Sequence, residues 1–353
     1  MRCRILWGDC SAAESGTSLT GICLFQKLQK RTRDLCIFPL PGQSGWRPVV
    51  MYTEVGDRLF PAMIPFLHIG PLPIPTYGLM VAIGMLVAAY LLQFDINRHR
   101  EQFIEHGYLK NVAKKDQGDE AFLIIAIIGV SGLVAAKLYS VLEDPRELLT
   151  HPAVLISRYG FTWSGAVIST LVAMILLARH FDIPVLEFMD LCATPGALGY
   201  AIGRIGCLLS GDGDYGIPTS LPWGMSFPNG LVPTTGIWDP ENRSGVCFLY
   251  GLPGNCTVHP TPIYEFLSCA IIAAFLWRMS TKALNRGGSH GEIIGANLIL
   301  TGIARFLVEF IRINPRVFYW MTNAQIVSLL GMVLGFVLLW QIKRENVLKS
   351  ETA

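Results

Sequence analysis

About seven stretches of this chain are apolar for long enough to cross a lipid bilayer, which takes about 20 residues per helix. Nothing else in the sequence restricts its fold so strongly. They run approximately over Ile74–Phe94, Ala121–Leu142, Tyr159–Ala178, Val185–Leu209, Pro262–Met279, Glu292–Ile311 and Asn323–Gln341. Peptide groups in hydrocarbon must find their partners within the protein, and no alternating strand pattern of the barrel kind is present, so the spans are expected to be helices. Composition agrees: 52% of residues are hydrophobic and 15% charged, against about 25% charged in a soluble domain. Mean hydropathy is +0.44. The expectation is an all-α, polytopic membrane protein with about seven transmembrane helices. A soluble enzyme and a disordered chain are both excluded. The formal net charge of +2 gives no reason to expect a nucleic-acid partner. No internal or inverted repeat is visible.

Lys and Arg accumulate in cytoplasmic loops. Arg98, Arg100, Lys110, Lys114 and Lys115 follow the first stretch, Arg179 the third, Arg278, Lys282 and Arg286 the fifth, and Lys343, Arg344 and Lys349 the last. The alternate loops are poorer, with Arg146 and Arg158, Arg243, and Arg316. Odd-numbered loops and the C-terminus are therefore expected in the cytoplasm, with the start of the first span outside. Met1–Val50 fits this topology badly. It carries Arg2, Arg4, Lys27, Lys30, Arg31, Arg33 and Arg47, and no apolar stretch long enough for a secretory signal. The expected organisation is an N-terminal extension over 1–62, disordered or not part of the native product, with Met51 or Met63 as the true start. A seven-helix domain over 63–345 with an outer loop at 211–261 follows, then a cytoplasmic tail over 346–353.

Of the 9 cysteines, Cys192, Cys207 and Cys269 lie within spans and Cys247 and Cys256 in the outer loop. Their spacing matches no metal site, and none is expected. An oxidising compartment would permit a Cys247–Cys256 disulfide, which the sequence leaves open.

An ionisable side chain at mid-membrane costs about 2.5–3.5 kcal/mol on insertion scales, so each one needs a reason. Under this topology Tyr77, Lys137, Ser164, Arg204, His259, Tyr264, Glu265, Arg305, Glu309, Arg312, Asn323 and Gln325 all fall toward the outer ends of the spans. Asp190, nearer an inner end, is the exception. Arginines outweighing acids favour an anionic ligand, and a guanidinium fork suits phosphate. A phosphate already at that depth is a phospholipid headgroup. The clustering points to an enzyme or carrier acting on an anionic lipid from outside. Plainer readings stand beside it. Arg305 and Glu309, at i and i+4, could neutralise each other. Arg204 and Lys137 could snorkel, and Tyr77 could anchor at the interface. Ser164 could bond a backbone carbonyl, His259 could order its loop, and Cys207 and Cys269 could be packing residues.

Four segments, in consistent order between about Pro65 and Lys343, resemble the bacterial phosphatidylglycerol–prolipoprotein diacylglyceryl transferase family. They are Tyr77-Gly78-Leu79-Met80, the run from Gly203-Arg204-Ile205-Gly206-Cys207 through Asp212-Gly213-Asp214-Tyr215-Gly216, His259-Pro260-Thr261-Pro262-Ile263-Tyr264-Glu265, and Arg305 through Arg312. The resemblance implies transfer of the diacylglyceryl group of phosphatidylglycerol to the lipobox cysteine of a preprolipoprotein, forming a thioether as glycerol phosphate leaves. It implies no cofactor. It also implies the outer leaflet of the bacterial inner membrane as the place, at the first step of lipoprotein maturation. Cations on the phosphate would stabilise the leaving group, and a base would generate the thiolate.

By the same resemblance Arg204 and Arg305 engage the lipid phosphate, and Glu309 orients Arg305 or takes part in proton transfer. Tyr77 lines the headgroup pocket, and Asp212 or Asp214 meets the glycerol hydroxyls. Ser164, Gly165, His259, Tyr264 and Glu265 line or shape the substrate site. The chain departs from the pattern in four places. Many members have His or Tyr where this chain has Ser164, and an ordinary serine hydroxyl is a poor base. Cys207 stands where some members have Asn, Thr301 replaces an expected Tyr, and the stretch Asp212-Gly213-Asp214 is one residue longer than the common pattern. The base is therefore unassigned. The competing expectation is an anionic-lipid transporter or flippase without covalent chemistry, for which Asp190 is the one suggestive residue.

Overall fold

The apolar stretches form helices. The computed structural model describes residues 4–5, 8–9, 64–69, 72–105, 120–143, 148, 163–237, 239, 244–252, 256–284 and 290–352. The chain divides into two units, Met1–Leu59 and Phe60–Ala353. In the first, β1 (Arg4–Ile5) and β2 (Gly8–Asp9) pair antiparallel with Arg4 opposite Asp9. The rest of Met1–Val50 lies outside the described residues, as do Lys110, Lys114, Lys115, Arg146, Arg158, Arg243 and Arg286.

The second unit opens on a hairpin of β3 (Phe66–Ile69) and β4 (Leu72–Pro75). Thr76 ties the hairpin to the first helix: its N–H and its hydroxyl both donate to the Pro65 carbonyl, at 3.0 and 3.1 Å. The helices are α1 (Thr76–Glu105), α2 (Glu120–Glu143), α3 (Trp163–His180), α4 (Val185–Ser210), the short α5 (Val246–Leu249), α6 (Thr261–Leu284), α7 (Glu292–Val308) and α8 (Asn323–Thr352). A single 3-10 turn, Glu309–Ile311, extends α7. Among the described residues, each expected span overlaps one of the long helices. Five are long and apolar enough to cross a membrane: Thr76–Glu101, Glu120–Leu142, Thr261–Ala283, Glu292–Ile311 and Asn323–Leu348. The apolar part of α3 is shorter, Gly165–His180, and α4 carries Glu187, Asp190, Pro195 and Arg204 along its length. The protein is a multi-pass membrane protein. Large apolar side chains such as Leu86, Tyr90, Leu142, Leu334 and Phe336 are exposed on α1, α2 and α8, a distribution suited to lipid rather than water. The last helix overruns its expected end at Gln341, so residues 346–352 continue α8.

Helix α4 is the centre of the bundle, packed against α1, α6, α7 and α3. Small residues make this possible. On Gly84 of α1 a Cβ would come within 2.7 Å of the Gly199 carbonyl oxygen of α4, so the two backbones meet without side chains between them. Ala193 and Ala197 of α4 pack with Ile272, Ala273 and Leu276 of α6 and with Ile293 and Ala296 of α7. Leu92, Ile124, Leu177, Phe188 and Leu191 form a separate core among α1 to α4.

Two expected membrane-depth polar residues turn out to terminate helices. Asp190 is buried, and its two carboxylate oxygens accept the Gly291 and Ile294 N–H groups, each at 2.6 Å. It thereby satisfies donors that the start of α7 leaves without intrahelical partners. Gln325 and Thr322 cap α8 reciprocally: Gln325 Oε1 accepts the Thr322 N–H at 3.1 Å, and Thr322 Oγ1 accepts the Gln325 N–H at 3.3 Å.

The connection from α4 to α6 folds into a cap with its own core of Tyr215, Met225, Phe227, Val246 and Val258. Tyr215 and Phe227 stack with ring centroids 5.1 Å apart. Cys247 and Cys256 are joined by a disulfide within this cap, the pairing that the sequence left open.

Candidate functional site

Charged side chains converge where the C-terminal end of α4, the N-terminal end of α6 and the C-terminal end of α7 meet. Arg204 is carried by α4, Glu265 by α6, and Arg305 by α7, followed by Glu309 in the 3-10 turn and Arg312 just beyond. The chain leaves α4 through Gly211, whose φ of +58° lies in the left-handed region and whose N–H closes the helix on the Cys207 carbonyl at 3.0 Å. That turn delivers Asp214 back over the end of α4. Thr261 Oγ1 donates to the Asp214 carbonyl, and the Ile217 N–H donates to the Ile311 carbonyl at 2.8 Å. The loop is thus fastened to both α6 and α7.

Glu265 is the junction. Its Oε2 accepts from Arg204 Nε and, at 3.1 Å, from the Tyr200 hydroxyl. Its Oε1 accepts from Arg305 Nη1 at 2.6 Å and from Arg312 Nη1 at 3.1 Å. Asp214 forms a second bridge, taking Arg204 Nη1 at 2.6 Å on Oδ2 and Arg312 Nη2 on Oδ1. Glu309 Oε2 pairs with Arg305 Nη1 at 2.9 Å, while Oε1 accepts from Asn314 Nδ2 at 2.6 Å. Three guanidinium groups and three carboxylates thus share one closed network with no net charge, the arrangement that buried charges require.

The three arginines differ in what they have left to offer. Arg312, with 4% of its side chain exposed, holds Asp214 and Glu265 through its two terminal nitrogens and turns Nε toward Glu309. It is a framework residue. Arg305 is 26% exposed, and among the described residues nothing engages its Nε or Nη2. Arg204 Nη2 is likewise unengaged among the described residues. These N–H groups are available to an incoming anion.

Both lie beside cavities. One, of ≈ 370 Å³, is lined by Tyr200, Glu265, Thr301 and Arg305 among others. The other, of ≈ 320 Å³, is lined by Tyr77, Arg204 and Cys207 with Gly84, Gly129 and Gly203. Tyr200 and Gly196 of α4 border both.

Around the network the electrostatics divide the two neighbouring acids. Burial opposes ionisation of Asp214, but Arg312 and Arg204 outweigh it and hold the carboxyl well below the usual range. Burial and the adjacent Asp214 charge push Asp212 up to about 6. Arg312 is driven further toward the charged form: burial opposes this, and Asp214 and Glu265 overcome it. Cys207, Asp212 and Asp214 offer ligand atoms within 4.8 Å of one another. Arg204 reaches both Cys207 and Asp214, and Arg312 reaches Asp214. A metal cation there would meet two guanidinium charges, so this set does not suit one.

The structure brings together Arg204, Arg305, Glu309, Glu265 and Asp214, with Tyr77 and Asp212 alongside. It places His259 and Tyr264 elsewhere. Their side chains approach at 3.2 Å, Trp223 Nε1 donates to the Tyr264 hydroxyl at 2.8 Å, and none of the three joins the charge network. Burial lowers the His259 imidazole below its ordinary range. Gly165 is buried, and a side chain there would run into Ala135 and Tyr139 of α2, so it serves a helix contact. The Ser164 side chain lies outside the described residues. Arg312 was expected in the outer cluster without an assigned role, and Asn314 was not expected. The Arg305–Arg312 spacing signalled the first, whereas Asn314 follows the helix and carries no local signal.

The family profile for prolipoprotein diacylglyceryl transferase matches residues 65–341. A phosphatidylglycerol–prolipoprotein diacylglyceryl transferase of Clostridium tetani is 30% identical over 266 residues, 75% of this chain and 91% of that protein. Relatives of the same name from Xylella fastidiosa and Stenotrophomonas maltophilia are each 28% identical, over 81% of this chain and 94% and 93% of theirs. With a family model matched over residues 65–341 and a 30%-identical relative covered over 91% of its length, the chain belongs to the prolipoprotein diacylglyceryl transferase family.

Proposed function

We propose that the protein transfers the diacylglyceryl group of phosphatidylglycerol to the lipobox cysteine thiol of preprolipoproteins. The observation that carries this reading is the pair of guanidinium groups, Arg204 and Arg305, with unused N–H donors beside cavities between apolar helices. The reaction breaks a C–O bond to phosphate, and cations already in place at the phosphate stabilise the charge that develops there. Arg204 and Arg305 take that role. Glu309, paired with Arg305, orients it, and Glu265 spaces the two arginines through its separate oxygens. Tyr77 lines the headgroup cavity, and Asp214 fixes Arg204 for the glycerol end of the lipid. His259 and Tyr264 shape the cap over the site.

The proposed setting is the bacterial inner membrane, with the site toward the outer leaflet and the C-terminus in the cytoplasm, on the strength of the Lys and Arg distribution. The working unit is 63–345, with the cap at 211–261. A flippase draws no support from Asp190, whose carboxylate is committed to capping α7.

The test is direct. Purified protein given phosphatidylglycerol and a lipobox peptide should add the mass of a diacylglyceryl group to the peptide through a thioether. Arg204→Ala should abolish the product while the protein still inserts. Arg204→Lys keeps the charge and loses the fork, and should cost about 100-fold in turnover. A wild-type enzyme that leaves the peptide mass unchanged overturns the proposal.

A further inference from the structure

Forming a thioether requires a thiolate, and the network described above is a poor source of bases. Asp214, Glu265 and Glu309 are each committed to at least two arginines, and Arg312 and Arg204 hold the Asp214 carboxyl well below the usual carboxylate range. His259 stands with Tyr264 and Trp223, outside the network. Asp212 differs. Among the described residues it has no arginine ion pair, and its one hydrogen bond from the backbone is from the Asp214 N–H to Oδ1 at 3.3 Å. That contact fixes the carboxylate just past the end of α4 without neutralising it.

What lies next to it is informative. The Cys207 sulfur sits within 4.8 Å of the Asp212 and Asp214 carboxylates and receives Arg204 Nη1 at 3.2 Å. Cys207, Arg204 and Tyr77 line the same cavity. The fold therefore already accommodates a sulfur atom between a guanidinium and an acid.

We propose that Asp212 is the general base of the transfer, taking the proton from the acceptor cysteine as its sulfur attacks. This rests on the transferase reading. In the step, the S–H proton passes to an Asp212 oxygen, and a sulfur lone pair forms the C–S bond at the glycerol carbon of the diacylglyceryl group. The C–O bond to phosphate breaks, and its electron pair leaves with glycerol phosphate. Asp212 then returns its proton to the released phosphate or to water. The groups facing Asp212 are Cys207 and Arg204 from α4, Tyr77 from α1 and Asp214 from its own loop. Burial first, and Asp214 second, raise its carboxyl to about 6, which narrows the gap to a thiol near 8.5 and suits a base working near neutrality.

The experiment compares wild type, Asp212→Asn and Asp212→Glu on two lipobox peptides, one with cysteine and one with selenocysteine, whose selenol ionises at neutral pH without help. With the cysteine peptide, wild-type kcat/KM should fall tenfold per pH unit below about 6, following the carboxyl. Asp212→Asn should lose at least about 100-fold together with that acid limb, whereas Asp212→Glu should keep both. The selenocysteine peptide should restore Asp212→Asn to within about tenfold of wild type, an effect that no merely structural role of Asp212 produces. An Asp212→Asn enzyme as active as wild type on cysteine, or equally dead on both peptides, overturns the base. No product from wild type on either peptide overturns the transferase reading instead.

Discussion

Glu265 carries more of the site than its position in the sequence suggested. It is 3% exposed and shared by Arg204, Arg305 and Arg312, so removing its charge leaves three cations facing two acids. Breaking a buried pair from one side costs about 3–5 kcal/mol. Glu265→Gln should therefore lower stability by about that amount in denaturant unfolding of the detergent-solubilised protein, and transfer should be lost with it. An unchanged unfolding midpoint would contradict the network. Asp212 makes a prediction of opposite sign. Its folded carboxyl is raised to about 6 above an unfolded value near 3.9, so its ionised form destabilises the fold at neutral pH. Through this group stability should rise as pH falls from 7 toward 5, and Asp212→Asn should flatten that rise in thermal unfolding. Asp214, held low by Arg312 and Arg204, contributes stability above its unfolded value that is lost only in stronger acid. Individual residue types were legible here; their pairings were not. Arg204 and Glu265 lie 61 positions apart, and no local periodicity says which helix an arginine will face.

Among the elements, the helices were legible because lipid imposes one rule on every span, a continuous run of apolar side chains. Their ends were less so. The run in α8 stops being apolar before the helix stops, since Lys343, Arg344 and Glu345 are good helix formers with nothing to end them. Asp190 read as a membrane-depth anomaly because its role is to cap a helix 101 residues away. Asp190→Ala should cost at least about 2 kcal/mol, seen as a lower unfolding midpoint with substrate KM unchanged. The meeting of α1 and α4 is as exacting. Gly84→Val places a branched side chain against the Gly199 carbonyl, and should lower the melting temperature far more than Gly78→Ala, whose added carbon meets only Pro75 Cγ at 3.6 Å.

For the whole molecule, the cap between α4 and α6 and the far end of α8 should lie on opposite sides of the membrane. Cysteines placed at exposed positions, Ser220→Cys in the cap and Glu345→Cys in α8, should respond oppositely to a membrane-impermeant maleimide in intact cells. The cap cysteine should label from outside and the other only after lysis. The reverse pattern would turn the site toward the cytoplasm and remove its access to exported substrates. The polarity of the loops could be read from Lys and Arg counts, and the Cys247–Cys256 pairing was left open, but the folded cap could not be read, because Gly- and Pro-rich sequence does not reveal which apolar side chains will gather into a core.

The closed charge network also bears on how the chain is made. Read from the N-terminus, its members arrive as Arg204, Asp214, Glu265, Arg305, Glu309 and Arg312, in the order plus, minus, minus, plus, minus, plus. The accumulated sum never departs from neutrality by more than one charge at any stage of synthesis. Arg204 has Asp214 for company only ten positions later, long before α6 and α7 exist. A nascent bundle of this kind never has to shelter two uncompensated ions of like sign while waiting for later helices, and exchanging the order of Glu309 and Arg312 would leave that property untouched, whereas exchanging Asp214 with Arg305 would not.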